Sequence, residues 1–292
     1  MNWQELILSA RHRLSAVKTE DVMRDLRILA AHVIEIDASR MTLHIRDDVS
    51  ANQRELFEAL VDGRSAHMPI SKLIKRRLFW GREFSVDFDV LDPRADTETL
   101  IAACLELKLK TNVLDLGTGS GAIGLTLAAE WPRANVLCTD ISEGALTIAR
   151  QNMNQIGVAD TVRFQVSDWF DKVIGTYDLI VSNPPYISLD EWQTLDLEVQ
   201  FDPKIALTDN GDGLSAYRII AAQAGAYLEK GGHLIVEIGH QQGRAVQALF
   251  DAAGFTQVKC LPDMAGRDRV VSGLWSGEHA LAVQNYRGFS RV

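Results

Sequence analysis

A rigid tetrapeptide, Asn183-Pro184-Pro185-Tyr186, carries the side chains best placed for chemistry in this 292-residue chain. It directly follows residues 177–182, an apolar run that predicts a buried strand. The two prolines fix φ and remove two backbone donors, and a residue before proline is kept out of helical geometry. Asn183 and the adjacent carbonyls can therefore accept both protons of a planar NH2 group, with Tyr186 packed beside it. A proline-rich turn capped by asparagine is the alternative interpretation.

A glycine-rich loop further upstream predicts a cofactor site. Gly117, Thr118, Gly119, Ser120 and Gly121 follow a predicted strand at 112–116 and open a helix. Glycine takes positive φ and lets a ligand approach the backbone, and the helix start presents free N–H groups to an anionic ligand group. Asp140 ends the next strand, where an acidic side chain can accept hydrogen bonds from ribose hydroxyls.

The glycine loop alone leaves two cofactors open. Its Gly119-x-Gly121-x-x-Gly124 spacing also fits an NAD-dependent oxidoreductase. Two features favour S-adenosylmethionine instead: Asp115 before the glycine loop, and the Asn183-Pro184-Pro185-Tyr186 segment that ends the fourth strand beside the crevice. Asp115 can meet an ammonium group or organise the loop, while Asp168 and Trp169 supply an acid and an aromatic surface suited to adenine. Methyl transfer also needs no proton donor of the kind that a dehydrogenase requires.

The elements around these residues predict an α/β fold with a Rossmann-like, mostly parallel seven-stranded sheet covered on both faces. The last strand should run antiparallel, because the loop before it is too short for a crossover helix. The predicted strands are 112–116, 134–139, 162–167, 177–182, 232–238, 255–260 and 269–275. The predicted helices of this part are 120–130, 142–156, 213–229 and 242–252.

Four segments are predicted along the chain. Residues 1–76 form a small helical domain that docks a substrate, and 77–91 form a β-hairpin linker. Residues 92–276 form the catalytic domain, which opens with a helix running to about residue 108, and 277–292 are a loosely ordered tail. Within the first segment, helical periodicity predicts helices at 3–17, 20–37, 50–61 and 64–76.

The composition of the chain argues against several classes of protein. The net charge of −9 argues against a dedicated duplex-DNA binder, whose affinity depends on neutralising phosphates. No apolar run approaches the length of a membrane span, and the first residues lack a secretory signal pattern. The three cysteines are far apart and predict neither a disulfide framework nor a metal site. We therefore expect a cytoplasmic protein that uses no metal and acts on neither membranes nor nucleic acid.

In combination, several motifs resemble the HemK/PrmC family, the peptide chain release factor N5-glutamine methyltransferases. They are residues 115–123, 168–170, 181–187, 212–214 with Tyr217-Arg218, and 265–269. The resemblance covers roughly residues 50–275. It implies a class I S-adenosylmethionine-dependent methyltransferase fold and methylation of the glutamine in the Gly-Gly-Gln motif of bacterial release factors.

The resemblance also implies roles for single residues. Residues 117–121, with Asp115, would hold the methionine part of S-adenosylmethionine. Asp140 would take its ribose, and Asp168 and Trp169 would flank its adenine. The tetrapeptide would hold the glutamine amide, through Asn183, Pro184, Pro185 and Tyr186, with Asn183 also beside the cofactor.

The sequence departs from the family pattern at two places. Asp92 and Ala95 stand where an aliphatic residue and a proline are usual, and residues 71–75 replace a tyrosine-containing turn that ends in glycine. These positions are expected at the hinge and at the cofactor lid. Three alternative functions also stay open: a glutamine methyltransferase of a ribosomal protein, an adenine-N6 DNA methyltransferase, and a binding protein that only uses the scaffold.

Overall fold

The structure, a computed structural model, describes residues 1–17, 19 and 21–277. These residues form two compact units. The first comprises Met1–Arg76 with Asp196–Phe201, and the second comprises Arg77–Leu195 with the described chain from Asp202 onward. No helix within the described ranges is both long and apolar enough to cross a membrane. Apart from Gly277, the predicted tail at 277–292 lies outside the described residues.

The first unit is helical. Its α-helices are α1 Trp3–Ala10, α2 Val22–Val33, α3 Met41–His44, α4 Ala51–Ser65 and α5 Ile70–Ile74. Its core includes an edge-to-face contact between Trp3 and Phe57, whose ring centroids are 5.7 Å apart. The segment Asp196–Phe201 belongs here because buried Arg64 donates to Glu198 Oε1 at 2.8 Å and to Asp25 Oδ2 at 2.9 Å.

Three of the predicted helices of this unit, at 3–17, 20–37 and 64–76, are too long. The helix predicted at 50–61 is too short, because α4 continues to Ser65. The helix predicted at 3–17 ends at Ala10 and continues only as a 3-10 turn, Arg11–Leu14. The helix predicted at 64–76 is shorter in the structure, because α4 runs through Ser65 and Pro69 separates it from α5, which covers only Ile70–Ile74. Proline disfavours helical geometry in the residue before it.

A short β-hairpin follows, with strands β1 Arg76–Phe79 and β2 Arg82–Ser85. Its turn residues Trp80 and Gly81 have φ of 48° and 69°, as tight hairpin turns require. Residues 86–91 contain no strand, so the alternating pattern there was misleading.

The second unit is a doubly covered sheet. Its strands are β3 Asn112–Leu116, β4 Asn135–Asp140, β5 Val162–Val166, β6 Tyr177–Ser182, β7 Leu228–Glu237, β8 Phe255–Pro262 and β9 Asp268–Trp275. Its helices are α6 Glu98–Leu105, α7 Ala122–Glu130, α8 Glu143–Ile156, α9 Leu189–Trp192, α10 Ser215–Ala224 and α11 Gly243–Ala252. The strand order is β5-β4-β3-β6-β7-β9-β8, and β9 runs in the direction opposite to the other six strands of this sheet. The predicted class I methyltransferase fold is therefore confirmed.

Both faces of the sheet are buried, as a parallel sheet requires. Successive residues of β3 point to opposite faces, with Val113 in one apolar cluster and Leu114 in the other. In β6, Leu179 and Ile180 divide in the same way. Continuous apolar strands of this kind explain why the strand positions were predictable from the sequence.

The predicted helix at 213–229 and strand at 232–238 are wrong at their shared boundary. Helix α10 stops at Ala224 and β7 already begins at Leu228. At Gly225 an added Cβ would lie 2.6 Å from the Trp275 ring, so the chain passes close to β9 there. The pairing of β7 with β6 then shifts register between Tyr177 and Leu179, which accommodates the extra residues.

Candidate active site

A cavity of about 230 Å³ opens at the carboxyl ends of β3, β4, β5 and β6. Strand order reverses between β3 and β6, which is the place where open α/β sheets bind ligands. Nine of the predicted site residues line the cavity: Gly117, Thr118, Gly119, Ser120, Asp140, Asp168, Trp169, Asn183 and Pro185. Four predicted site residues do not line it: Asp115, Gly121, Pro184 and Tyr186.

The glycine loop presents bare backbone to the cavity. Gly117 and Gly119 have φ of 67° and 55°, and a Cβ added to either would meet nothing within 4 Å. The space beside both residues is therefore open to a ligand. Gly121 differs, because an added Cβ would lie 2.6 Å from Leu125, so this glycine serves the packing of α7.

Asp140 shapes the glycine loop from the end of β4. Its Oδ2 accepts from Gly119 N at 2.8 Å and its Oδ1 accepts from Ser142 N at 2.9 Å. Burial raises the pKa of Asp140, and these backbone donors oppose the rise. Because each carboxylate oxygen has two lone pairs, Asp140 can still accept from a ligand hydroxyl.

Asp115 lies beneath the loop and is fully buried. Its Oδ2 accepts from Thr118 Oγ1 at 2.5 Å and from Gly124 N at 2.9 Å. In this structure Asp115 therefore organises the loop from behind. Burial raises its pKa to about 6, although the bonds from Thr118 and Gly124 act in the opposite direction.

Asp168 and Trp169 stand on a braced loop after β5. Trp169 has a φ of 45°, which is uncommon for a bulky residue. Ser167 holds this turn by donating to Trp169 O at 2.9 Å and accepting from Lys172 N at 3.0 Å. Phe170 stacks on Tyr227 with ring centroids 4.7 Å apart. Asp168 is exposed and Trp169 is half-buried at the cavity wall.

The Asn-Pro-Pro-Tyr segment is fixed at both of its ends. Before it, Ser182 Oγ donates to Leu116 O at 2.8 Å, which joins β6 to β3. After it, Gln242 Nε2 donates to Tyr186 O at 2.9 Å and to Gly213 O at 3.2 Å. Gly213 has a φ of 76°, and an added Cβ would lie 2.3 Å from Tyr186 O. Only glycine can make that approach.

Pro184 and Tyr186 are buried to different extents. Pro184 is buried, while Tyr186 is half-buried. Burial raises the pKa of the Tyr186 phenol, so the ring stays neutral at physiological pH. Asn183 Nδ2 donates to Thr97 Oγ1 at 3.3 Å.

Residues 89–94 form a further part of the cavity wall with Pro203, Ile205 and Ala206, and no sequence pattern pointed to the last three. Asp202 ties the wall together: its Oδ2 pairs with Arg94 Nη2 at 2.6 Å, and its Oδ1 accepts from Asp92 N at 3.2 Å. Asp92, one of the departures from the family pattern, is buried in this wall. Glu237 and Gln242 were also missed, because a glutamate and a glutamine outside a motif carry no local signal. Thr97 was missed as well, although it stands in the stretch 93–98 that was compared with the family pattern.

A class I methyltransferase fold with a glycine loop at its strand-order reversal defines this protein as a methyltransferase. A family model described as "Methyltransferase small domain" matches residues 91–201, and a "PrmC N-terminal domain" model matches residues 5–74. The chain is 47% identical over 273 residues to the release factor glutamine methyltransferase of Cereibacter sphaeroides, covering 93% of this chain and 98% of the relative. It is 41% identical over 269 residues to the protein of that name from Xylella fastidiosa strain Temecula1, covering 90% and 98%.

The chain therefore belongs to the release factor glutamine methyltransferase family, and the family resemblance seen in the sequence is confirmed. A crystal structure of a methyltransferase from Pyrococcus furiosus is similar, with a TM-score of 0.52 at 18% identity, covering 75% of this chain and 98% of that one. This likeness supports the fold alone.

We predict that Asp115→Asn becomes relatively more stable as pH rises. Because the pKa of Asp115 is raised to about 6 in the folded protein, the stability tied to its neutral form is present below the unfolded pKa near 4 and is lost as pH rises through about 6. Asparagine does not ionise, so the free energy of unfolding of the variant minus that of the wild type should increase by about 2–3 kcal/mol from pH 3.5 to 7.5.

Urea unfolding of both proteins at the two pH values measures this difference. The contributions of the other titrating groups to the free energy of unfolding cancel in it, because both proteins contain them. A difference that does not change with pH would show that Asp115 ionises as freely in the folded protein as in the unfolded one.

Proposed function

We propose that this chain transfers the methyl group of S-adenosylmethionine to the side-chain amide nitrogen N5 of a glutamine in a peptide chain release factor. Relatives that share 36–47% of their residues over about nine-tenths of this chain carry the name release factor glutamine methyltransferase. The observation that carries the proposal is that a single cavity is lined by both the glycine loop and Asn183. A cofactor surface and an acceptor of NH2 protons thus share one space.

S-adenosylmethionine is the cofactor, and when bound it supplies an electrophilic methyl group on a sulfonium. The open backbone at Gly117 and Gly119 fits its methionine part, because no side chain occupies that space. Asp140 would accept hydrogen bonds from its ribose hydroxyls, and Asp168 and Trp169 would flank its adenine. Asp115 contributes by holding Thr118 and the start of α7 in place.

The glutamine amide is a poor nucleophile, since its nitrogen lone pair is delocalised into the carbonyl. Asn183 Oδ1 and the Pro184 carbonyl accept its two protons, which increases electron density on the nitrogen and orients it. Positioning of reacting groups can supply up to about 7–11 kcal/mol. Acceptors aimed at a nitrogen that becomes positive add an electrostatic contribution. The neutral Tyr186 ring packs beside the amide, and the released proton can pass to water.

The release factor docks partly on the helical unit. The match of the PrmC N-terminal domain model to residues 5–74 supports a role shared with the family. The chemistry of the proposed site lies in the second unit, so the helices are free to serve recognition. Because a release factor acts where translation runs, a cytoplasmic location follows from this substrate.

Incubation of the full chain with methyl-labelled S-adenosylmethionine and separate acceptors tests the function. The acceptors are a release factor, the same factor with the Gly-Gly-Gln glutamine replaced by asparagine, a ribosomal protein and duplex DNA. Label should appear only in the unaltered release factor. Label in the ribosomal protein or in DNA would support one of the alternative substrates, and binding heat with NAD would revive the oxidoreductase interpretation.

We predict that Asn183→Ala lowers turnover in this assay about 10²–10³-fold, roughly 2.7–4 kcal/mol, by analogy with removing one transition-state hydrogen-bond partner. Calorimetric affinity for S-adenosylmethionine should change little, because Asn183 acts mainly on the methyl acceptor. Asn183→Asp should retain more activity than Asn183→Ala, since a carboxylate still accepts both hydrogen bonds. A variant that melts early and yet turns over normally would show that Asn183 is only a turn cap.

Removal of residues 1–76 is predicted to spare S-adenosylmethionine binding but to abolish methylation of intact release factor. The reason is that all the residues lining the cavity belong to the second unit. A short peptide containing Gly-Gly-Gln serves as the control acceptor. Because the peptide needs no docking, the truncated enzyme should methylate it at nearly the full rate. Full-rate methylation of intact release factor by the truncated enzyme would contradict the docking role.

A further inference from the structure

Glu237 is a buried carboxyl directly behind the proposed acceptor site. It is the last residue of β7, and because Ser182 pairs with Val236 in the parallel ladder, Glu237 follows beside Asn183. Its exposed fraction is 1%, and its Oε2 has no hydrogen-bond partner among the described residues. A buried carboxylate oxygen without a partner is costly, so its position calls for a function.

Six residues face Glu237 from the elements around it. The Thr97 hydroxyl, from the turn before α6, and the Asn183 side chain both lie beside its carboxyl group. The charges of Arg269, on β9, and of Asp96 act on the Glu237 carboxyl. The charge of Glu237 in turn acts on the Tyr186 phenol. On its backbone side, Tyr217 Oη donates to the Glu237 carbonyl at 2.8 Å.

Arg269 acts on Glu237 by charge through space, but its two Nη atoms have other partners, and its buried Nε has no hydrogen-bond partner among the described residues. Its Nη2 lies 3.0 Å from Asp96 Oδ2 and 3.3 Å from Asp263 Oδ2. Its Nη1 donates to Ile238 O at 3.4 Å. No ion pair joins Arg269 to Glu237 among the described residues, so the Glu237 carboxyl is left to its polar neighbours Thr97 and Asn183.

Glu237 and Thr97 can determine the orientation of the Asn183 side-chain amide. An asparagine side chain has a donating end, Nδ2, and an accepting end, Oδ1, and rotation by half a turn exchanges them. An ionised carboxylate only accepts, so it attracts Nδ2. The observed bond from Asn183 Nδ2 to Thr97 Oγ1, at 3.3 Å, has the same direction. With Nδ2 held on that side, Oδ1 is available on the cavity side.

We propose that Glu237 and Thr97 are positioning residues that hold the Asn183 amide with Oδ1 directed at the substrate nitrogen. The inference rests on the proposed function, because only an NH2 acceptor group gives the orientation a chemical consequence. An inverted amide would present its own NH2 to the NH2 of the glutamine, so two donors would face each other. Such an enzyme would still bind cofactor and release factor but would orient the nitrogen poorly.

The charge of Glu237 makes this orientation depend on pH. Burial raises its pKa to about 7, against the opposing effects of Thr97, Arg269 and Asn183, while Asp96 adds to the rise. Below this pH the carboxyl is protonated and can donate to Oδ1, which removes its preference for Nδ2. The active orientation is therefore favoured as pH rises through about 7.

The test compares Glu237→Gln with the wild type in single-turnover methylation of release factor from pH 6 to 9. Wild-type turnover should rise through pH 7. In the variant, turnover at pH 8 should fall about tenfold, the discrimination that one charge-assisted hydrogen bond can supply, and the inflection near pH 7 should disappear. KM for the release factor and affinity for the cofactor should stay within about twofold, because Glu237 does not line the cavity.

Conservative variants separate positioning from folding. Glu237→Asp should keep a pH inflection, and Thr97→Ser should retain most of the turnover that Thr97→Val loses. If Glu237→Gln fails to fold, the Thr97 pair still decides the question. Equal turnover of Thr97→Ser and Thr97→Val, or an unchanged pH profile in Glu237→Gln, would overturn the proposal.

A measurement without methyl transfer distinguishes this inference from the function on which it rests. The side-chain amide resonances of Asn183, identified by their loss in Asn183→Asp, should titrate near pH 7 in the wild type and not in Glu237→Gln. If the wild type fails to methylate release factor but the resonances titrate, the proposed substrate is wrong and the coupling between the two side chains stands. Resonances that ignore pH in the wild type would refute the coupling itself.

Discussion

The hydrogen bond from Ser182 Oγ to Leu116 O, 2.8 Å long and buried, joins the carboxyl ends of β6 and β3. The glycine loop begins immediately after Leu116, and the Asn-Pro-Pro-Tyr segment begins immediately after Ser182. The two parts of the site are separated by more than sixty residues of sequence, and this contact fixes their relative position. A rigid sheet edge is well suited to the purpose, because a methyl acceptor must be aligned closely with its donor.

The parts of this site that could be predicted are those whose backbone restricts the residue type. Positive φ at Gly117 and Gly119 requires glycine, and the rigid turn after β6 requires proline, so both features are visible in the sequence. The strands were predictable for a similar reason, since a sheet buried on both faces needs continuous apolar runs. Family and fold class are confirmed by the comparisons, whereas the function is a proposal and the roles of single site residues stay predictions.

The parts that could not be predicted depend on contacts between distant residues. Gln242 supports the Asn-Pro-Pro-Tyr segment across 56 residues of sequence, and the bond between Asn183 and Thr97 spans 86. Neither Gln242 nor Thr97 has a backbone conformation that restricts its residue type, so the sequence alone does not reveal its role. The misplaced start of β7 has another cause. Its first residues pair with β6 across a register shift, and local periodicity carries no information about such a shift.

Three carboxyl groups near the site have pKa values that burial raises: Asp115, Asp140 and Glu237. Each one destabilises the folded chain when it ionises, because burial disfavours the charged form. Each is also bound to, or lies beside, a part of the site that must not move: Thr118 and Gly124 for Asp115, Gly119 for Asp140, and Asn183 for Glu237. Carboxylates accept hydrogen bonds more strongly than neutral groups do, and burial strengthens these bonds further. The same burial therefore lowers the stability of the fold and makes the site rigid, which is the trade-off expected where function rather than stability determines the residue.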